Sequence, residues 1–294
     1  MTAAPSNPIQ DISSGLASLV ANAAANVVAV HSRRSRSSGF VWRPGLIVTA
    51  EEALADEGEV AVVLPGGETV AADRVGRDPT TDIALLRIGR SDIATASLAP
   101  PSVSTGAMVL VVGAEEGAPT AALGVVARAG GPWRSMRGGE IDARLDLGIA
   151  MRRPAEGGLA LDAEGRAFGM AVFGPRRRVL VIPAATIERV APMLEKHGRV
   201  ARGYMGLGLQ QVALQDGGGA GVMVMSVDPN GPGAAAGLRH GDVLVTFDGE
   251  PVRNVPALVR ALGPESVGRR AAVSIRRAGE PIEMSLTIGE RPRR

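Results

Sequence analysis

The chain has 294 residues, of which 45% are hydrophobic and only 2% aromatic, so Val, Leu, Ile and Ala must fill the cores of two domains of ordinary size. The net charge is +2, and this balance does not demand a polyanionic partner although arginine makes the isoelectric point high. The absence of cysteine from the sequence excludes disulfides, thiolate metal sites and a cysteine nucleophile.

The N-terminal segment predicts a flexible tail over residues 1–12 and an alanine-rich helix over 13–24. No basic stretch precedes its apolar run and two asparagines interrupt that run, so neither a signal peptide nor a membrane span is predicted. We therefore expect a soluble chain. The compartment stays open, with the cytoplasm preferred because no export signal is visible.

Residues 25–198 predict many short strands joined by turn signals, a pattern typical of an all-β barrel or sandwich. The arginine-rich RRSRSS (33–38) is predicted as a polar connection, and a helix over 184–198 closes this unit at a glycine stop signal. The predicted strands are NVVAVH (26–31), GFVWR (39–43), LIVTA (46–50), EVAVVL (59–64), TVAADRV (69–75), IALLRI (83–88), MVLVVG (108–113), ALGVVARA (122–129), EIDARLDLGIA (140–150), GLALD (158–162), AFGMAVF (167–173) and RVLVIP (178–183).

A second unit spans residues 199–294 and predicts five strands with two helices among them. It resembles a PDZ domain over its whole length, through the loop Tyr204-Met205-Gly206-Leu207, the stretch VDPNGPGAAAGLRHGDVLVTFDGEPV (227–252) and a closing pair of strands. The resemblance implies a small β-barrel with two helices, in which an extended peptide adds to a sheet edge and the loop amides capture its terminal carboxylate.

The same resemblance gives candidate residues for the PDZ pocket, which would favour an apolar terminal side chain. They are Leu209 on the edge strand and Leu258, Val259 and Leu262 on the helix. These side chains could equally belong to the domain core, and the sequence leaves that alternative open.

With a PDZ domain following it, the first unit resembles the trypsin-like protease domain of the HtrA (Deg) family. The matching stretches are SSGFVWRPGLIVTAEEAL, VGRDPTTDIALLRI, LDLGIAMRRPAEGGLALDAEGRAFGMAVFG and VLVIPAATI, in the family's order. The resemblance implies a double β-barrel with its active site in the cleft between barrels.

A trypsin-like protease needs a serine nucleophile, a histidine base, an aspartate that orients the histidine, and backbone N–H donors for the oxyanion. The family's aspartate matches Asp82, but its histidine matches Glu52 and its serine matches Glu156. A carboxylate cannot replace serine as the acyl acceptor, and an ionised glutamate is a weak base at neutral pH.

The oxyanion loop is altered as well, over Pro154, Ala155 and Gly157. If Pro154 occupies the position of the family's first glycine, the loop has lost one N–H donor, whereas a one-residue gap would place the proline one position earlier.

No other residue offers a replacement for the triad. The three histidines, His31, His197 and His240, do not match the base position, and no serine or threonine lies between residues 149 and 186. The sequence therefore predicts a pseudoprotease that acts as a scaffold or regulator and binds peptide or protein C-termini through its PDZ domain. The alternative is an active HtrA-like serine endopeptidase.

A lesser alternative is that Glu52, Asp82 and Glu156 converge and bind a divalent cation, unless an arginine such as Arg152 or Arg153 neutralises them. The main prediction includes no metal and no cofactor.

The resemblance implies a homotrimer or an active homologue as a further partner, although the first aromatic residue is Phe40 and the N-terminal segment lacks aromatic packing residues. The arginine runs at 33–36, 176–178 and the C-terminus lack interleaved aromatics, so no nucleic-acid partner is predicted.

Overall fold

A computed structural model describes residues 7–33, 35–214 and 219–292, and the chain divides into two compact units, Met1–Arg199 and Val200–Arg294. The helices are α1 (Pro8–Ala24), α2 (Ala184–His197), α3 (Pro232–Ala235) and α4 (Val255–Ala261), with 3-10 turns at Arg153–Ala155, Pro175–Arg177 and Pro264–Ser266. The strands of the first unit are β1 (Val27–Ser32), β2 (Ser35–Arg43), β3 (Leu46–Ala50), β4 (Val60–Val63), β5 (Thr69–Asp78), β6 (Ile83–Ile88), β7 (Met108–Glu115), β8 (Ala118–Gly130), β9 (Trp133–Arg134), β10 (Glu140–Ile141), β11 (Arg144–Gly148), β12 (Leu159–Leu161), β13 (Ala167–Phe173) and β14 (Val179–Pro183). Those of the second unit are β15 (Gly203–Tyr204), β16 (Leu207–Ala213), β17 (Ala220–Val227), β18 (Val243–Phe247), β19 (Glu250–Pro251), β20 (Arg270–Arg277), β21 (Glu280–Thr287) and β22 (Gly289–Glu290).

The first unit contains two closed antiparallel barrels, which confirms the predicted double barrel. Their strand orders are β1-β2-β3-β6-β5-β4 and β11-β14-β13-β12-β7-β8, and β9 and β10 form a separate hairpin. Branched aliphatic side chains fill each interior, such as Val28, Ile47 and Leu86 in one and Val111, Leu145 and Val181 in the other. These β-branched and leucine residues pack densely on pleated strands, so the barrels need few aromatics.

Two local predictions in this unit were wrong. The N-terminal helix begins at Pro8, five residues before the predicted start, because the Asn7 side chain accepts a hydrogen bond from the N–H of Ile9 and proline suits the first helical position. Residues 35–38 of the predicted polar connection are instead the start of β2, where Ser37 and Ser38 are buried and pair with β1. Residues 1–6 of the predicted tail lie outside the described residues.

The second unit confirms the predicted PDZ-type order of strands and helices. Its main sheet runs β16-β17-β18-β20-β21, β19 pairs with β18, and β15 pairs with β22. The core includes Val222, Leu244 and Ile275 from the sheet and Leu258 from α4. None of the helices in the described ranges is long and apolar enough to span a membrane.

Candidate functional site

A cleft of about 780 Å³ in the first unit is lined by residues of both barrels. The first barrel contributes Glu52, which follows β3, and the loop 79–82, which precedes β6. The second barrel and the β9-β10 hairpin contribute Trp133, Arg137 and Phe173, among others. A large concave site of this kind is the default place to look for binding or catalysis.

Glu52 and Asp82 meet at the edge of this cleft. The Asp82 Oδ1 atom accepts a hydrogen bond of 2.8 Å from the N–H of Glu52, which holds the two loops together. Burial raises the pKa of Asp82 well above its usual range, and the carboxylates of Glu52, Glu156 and Glu51 raise it further, against the opposing effect of that hydrogen bond. Asp82 is therefore adjacent to negative charge where a triad aspartate would be adjacent to an imidazole.

Glu156 follows a 3-10 turn, Arg153–Ala155, and its side chain is buried. Its Oε1 atom accepts a hydrogen bond of 3.4 Å from the N–H of Phe173 on β13. Burial raises the pKa of Glu156, and the Glu52 carboxylate adds to the rise, whereas the Phe173 N–H and the Arg153 and Arg177 guanidiniums oppose it. The charge of Glu52 therefore raises the pKa of Glu156, and the charge of Glu156 raises the pKa of Asp82.

The backbone of the Glu156 turn offers no N–H to an oxyanion among the described residues. Pro154 has no N–H, and the N–H groups of Ala155 and Glu156 donate to the carbonyls of Arg152 and Arg153, each at 3.0 Å. The N–H of Gly157 donates to Ala171 at 2.8 Å. Each N–H donor of the turn is already used within the protein.

Hydrogen bonds to Ser38 on β2 fasten the same turn to the first barrel. The N–H of Ser38 donates to the carbonyl of Glu156 at 2.7 Å, and its Oγ donates to the carbonyl of Pro154 at 2.5 Å. Gly157 has φ of 87°, and a Cβ there would lie 2.2 Å from the Ser38 carbonyl oxygen. Glycine at position 157 is therefore required by packing, whether or not the turn performs chemistry.

Two arginines neutralise the glutamates after β3, and sequence reasoning had named neither. Arg77 Nη2 lies 2.5 Å from Oε1 of the buried Glu51, and Arg137 Nη2 lies 3.2 Å from Oε1 of Glu52. Arg153, one of the two arginines suggested from sequence, acts on Glu156 instead. The closeness of Arg77 to Asp82 in the sequence could have indicated that Arg77 lies near the site. No sequence pattern indicates that the β9-β10 hairpin brings Arg137 to Glu52.

The structure does not support the divalent-cation alternative. Within residues 7–33, 35–214 and 219–292 no group of three or more His, Cys, Asp or Glu side chains is disposed to hold a metal ion. Arginine already provides positive charge at Glu51 and Glu52.

We expect Asp82→Asn to raise stability at high pH. The pKa of Asp82 is higher in the folded than in the unfolded chain, so its contribution is fully present below about pH 4 and is lost as pH rises through the folded value. Asparagine keeps the carbonyl acceptor for Glu52 and tolerates the φ of 58°. Thermal unfolding from pH 4 to pH 9 should show that the Tm of the variant, relative to that of the wild type, increases as pH rises. A difference in Tm that stays constant over this range would contradict the prediction.

In the second unit, the loop between β15 and β16 contains the residues predicted to bind a peptide carboxylate. Gly206 has φ of 71°. The carbonyls of Met205 and Gly206 accept hydrogen bonds from Gly233 and Asp228, at 2.7 and 2.8 Å, whereas the N–H groups of Met205 and Gly206 donate to no group in the described residues. Successive backbone N–H groups without an acceptor in the protein are the kind of donor that anion sites use.

The predicted pocket side chains fall into two groups. Met205 and Leu258 are buried in the core, the alternative that the sequence left open, so they do not present side chains to a ligand. Leu207, Leu209 and Leu262 are partly buried against that core, and Val259 is 46% exposed. Tyr204 donates a hydrogen bond of 2.9 Å from its hydroxyl to Asp228 and thereby braces the loop.

Comparison with protein families gives two matches. Residues 37–170 match the trypsin-like peptidase domain, and residues 203–288 match the PDZ domain.

Named relatives match most of the chain. A DegP-like periplasmic serine endoprotease of Brucella suis biovar 1 (strain 1330) is 30% identical over 275 residues, which are 88% of this chain and 53% of the relative. A protein of the same name from Pseudomonas fulva (strain 12-X) is 30% identical over 277 residues, 88% of this chain and 57% of the relative. The chain thus spans about half the length of these curated relatives. The preference for the cytoplasm was wrong, since these relatives are named periplasmic.

Solved structures agree with this fold. The HtrA-type protease AlgW with a tripeptide superposes with a TM-score of 0.69 at 25% identity, covering 95% of this chain and 98% of that one. The serine endoprotease from Yersinia pestis gives a TM-score of 0.73 at 24% identity, covering 98% and 100%, a likeness that shows the fold alone.

Proposed function

Because the chain belongs to the HtrA family, with a trypsin-like peptidase domain followed by a PDZ domain, we propose that it is a catalytically inactive member that binds peptide C-termini. The observation that carries the proposal is the turn at Glu156. A buried carboxylate stands where the family's motif has serine, and the N–H groups around it are absent or used within the protein. Such a turn supplies neither a nucleophile nor oxyanion stabilisation.

The proposed loss of the base has the same physical basis. Glu52 takes the place of histidine, and its carboxylate pairs with Arg137 instead of accepting a proton from a nucleophile. The second candidate function is an active serine endopeptidase, which the names of the relatives favour. It would require a nucleophile and a base from residues outside the matched motif positions.

The proposed role of the chain is that of a scaffold or regulator whose PDZ domain engages exposed C-terminal tails. Support comes from the N–H groups of Met205 and Gly206, which have no acceptor among the described residues, and from the exposed Val259 on α4. The names of the relatives support a periplasmic location. A second copy of the chain, or an active homologue, is a further proposed partner.

We expect the PDZ unit to bind an acetylated decapeptide that ends in valine, and amidation of its C-terminus should weaken binding at least tenfold because the loop N–H groups then lose a charged acceptor. Fluorescence anisotropy of a labelled decapeptide measures this directly.

A matched pair of helix variants controls this measurement. Val259→Asp should weaken binding at least fivefold, whereas Arg260→Gln, which lowers the net charge by the same amount at the next residue, should stay within twofold. Equal affinity for the free and amidated peptides would contradict carboxylate capture.

A further inference from the structure

The cleft of the first unit is electrostatically asymmetric. Four arginines line it, all from the second barrel or its hairpin: Arg137, Arg144, Arg176 and Arg178. Its acidic lining residues, Glu52 and Asp82, come from the first barrel. The basic and the acidic residues of the lining therefore come from different parts of the first unit.

Ion pairs within the protein compensate only part of the positive charge of these four arginines. Asp146 is buried and pairs with both Arg144 and Arg178, so one carboxylate serves two guanidiniums. Arg137 pairs with Glu51 and Glu52. Arg176 is exposed and forms no ion pair with any described residue. Arg176 consequently contributes a positive charge that no described carboxylate compensates, at the end of the cleft formed by the loop between β13 and β14.

The backbone at this end is strained. Arg176 and Arg177 have φ of 58° and 57°, a left-handed conformation that costs a side-chain-bearing residue about 1–3 kcal/mol. Glycine would adopt this conformation without that cost. The Arg177 guanidinium lies over the Phe173 ring, 5.2 Å from its centroid, whereas Arg176 forms no ion pair with a described residue. Strain of this kind concentrates at ligand sites, where the side chain contributes to function.

Apolar side chains line the same cleft as Arg176. Trp133 and Phe173 line the cleft with Leu180 and Ile182, and the Arg144 guanidinium stacks over the Trp133 ring at 4.2 Å. A ligand for this end therefore combines an anionic group with an apolar body.

The position of the uncompensated positive charge, at Arg176, distinguishes among anionic ligands. A nucleic acid carries charge along its whole length and would also place phosphates beside Glu52 and Asp82, where the lining arginine, Arg137, is already paired with Glu52. A peptide can carry a carboxylate at one end of the cleft and neutral backbone at the other. We propose that the cleft binds an extended peptide segment through an acidic side chain that pairs with Arg176, next to an apolar residue that packs on Trp133 and Phe173.

Tryptophan fluorescence of the full chain tests this site separately from the PDZ domain. Both tryptophans, Trp42 and Trp133, lie in the first unit, and Trp42 is buried. The probes are acetylated and amidated hexapeptides of valine and alanine with two glutamates, two glutamines or two lysines. Amidation removes the terminal carboxylate on which PDZ capture depends. We expect saturable quenching by the glutamate peptide, at least tenfold tighter than by the glutamine peptide, and its loss in Trp133→Phe.

Variants assign the binding to Arg176. Arg176→Ala, which keeps the strained backbone, should weaken the glutamate peptide at least tenfold, and Arg176→Lys should restore part of that loss. Arg128→Ala, at an exposed arginine outside the cleft lining, is the matched control and should have no effect. Equal binding of glutamate and glutamine peptides, full affinity in Arg176→Ala, or tighter binding of a single-stranded oligonucleotide would each overturn the proposal. Mass spectrometry of the bound peptide distinguishes this proposal from that of catalytic inactivity. Cleavage of the peptide would contradict catalytic inactivity but would not contradict the acidic-peptide site.

Discussion

We expect the Glu52→His, Glu156→Ser double variant to degrade unfolded casein far more slowly than a triple variant that also carries Pro154→Gly. The double substitution supplies a base and a nucleophile next to Asp82, but position 154 still lacks an N–H, and the backbone N–H of residue 156 still donates to the Arg153 carbonyl. Loss of one oxyanion donor typically costs about 10²–10³ in kcat. The triple variant should exceed the double variant by about that factor.

Casein degradation at equal protein concentrations measures this difference. The Pro154→Gly single variant is the control, and we expect it to be as inactive as the wild type because it has no serine at position 156. Comparable rates in the wild type and the triple variant would contradict our assignment of Glu52, Pro154 and Glu156.

The second large effect concerns stability. Gly157→Ala should destabilise the first unit by about 3–5 kcal/mol, since the new Cβ would lie 2.2 Å from the Ser38 carbonyl and the backbone has φ of 87°. Ser38 cannot move away from the new Cβ without losing hydrogen bonds, because its N–H and Oγ both donate to this turn.

Denaturant unfolding followed by tryptophan fluorescence reports on this unit alone, since it holds both tryptophans. The control is Gly89→Ala, where a Cβ would meet no atom within 4 Å and stability should change by no more than about 0.5 kcal/mol. A Gly157→Ala variant as stable as the Gly89→Ala variant would show that the turn is not fixed to β2.

Much of the fold was predictable because the strands follow simple hydrophobic patterns. IALLRI (83–88) and AFGMAVF (167–173) coincide with β6 and β13 residue for residue. The start of β2 was missed because serines and arginines have no apolar pattern, although Ser38 becomes buried through hydrogen bonds to residues about 76 and 116 positions away. Contacts over such distances in sequence leave no local signal.

The candidate site was predictable in its residue types and not in its electrostatics. Motif matching named Glu52, Asp82 and Glu156, which interact through their charges in the structure. It did not show that Glu51 is the buried partner of Arg77, or that a hairpin 85 residues further along brings Arg137 to Glu52. In the PDZ unit, the sequence could not separate the buried Leu258 from the exposed Val259, because an apolar residue at a helix position fits either place.

Glycine 157 illustrates why a preserved motif does not establish activity. The glycine pair after Glu156 resembles that of a working nucleophile loop, yet the contact with Ser38 alone explains why position 157 has no side chain. The backbone conformation of such a loop can therefore be kept even where the nucleophilic serine is replaced by another residue.

A fluorophosphonate probe, which labels an activated serine, tests catalytic inactivity most directly. Applied to the purified wild-type chain, it should give no labelling above that of Glu156→Ala, with an active serine protease as the positive control. Labelling of the native wild type that disappears on denaturation would contradict the account.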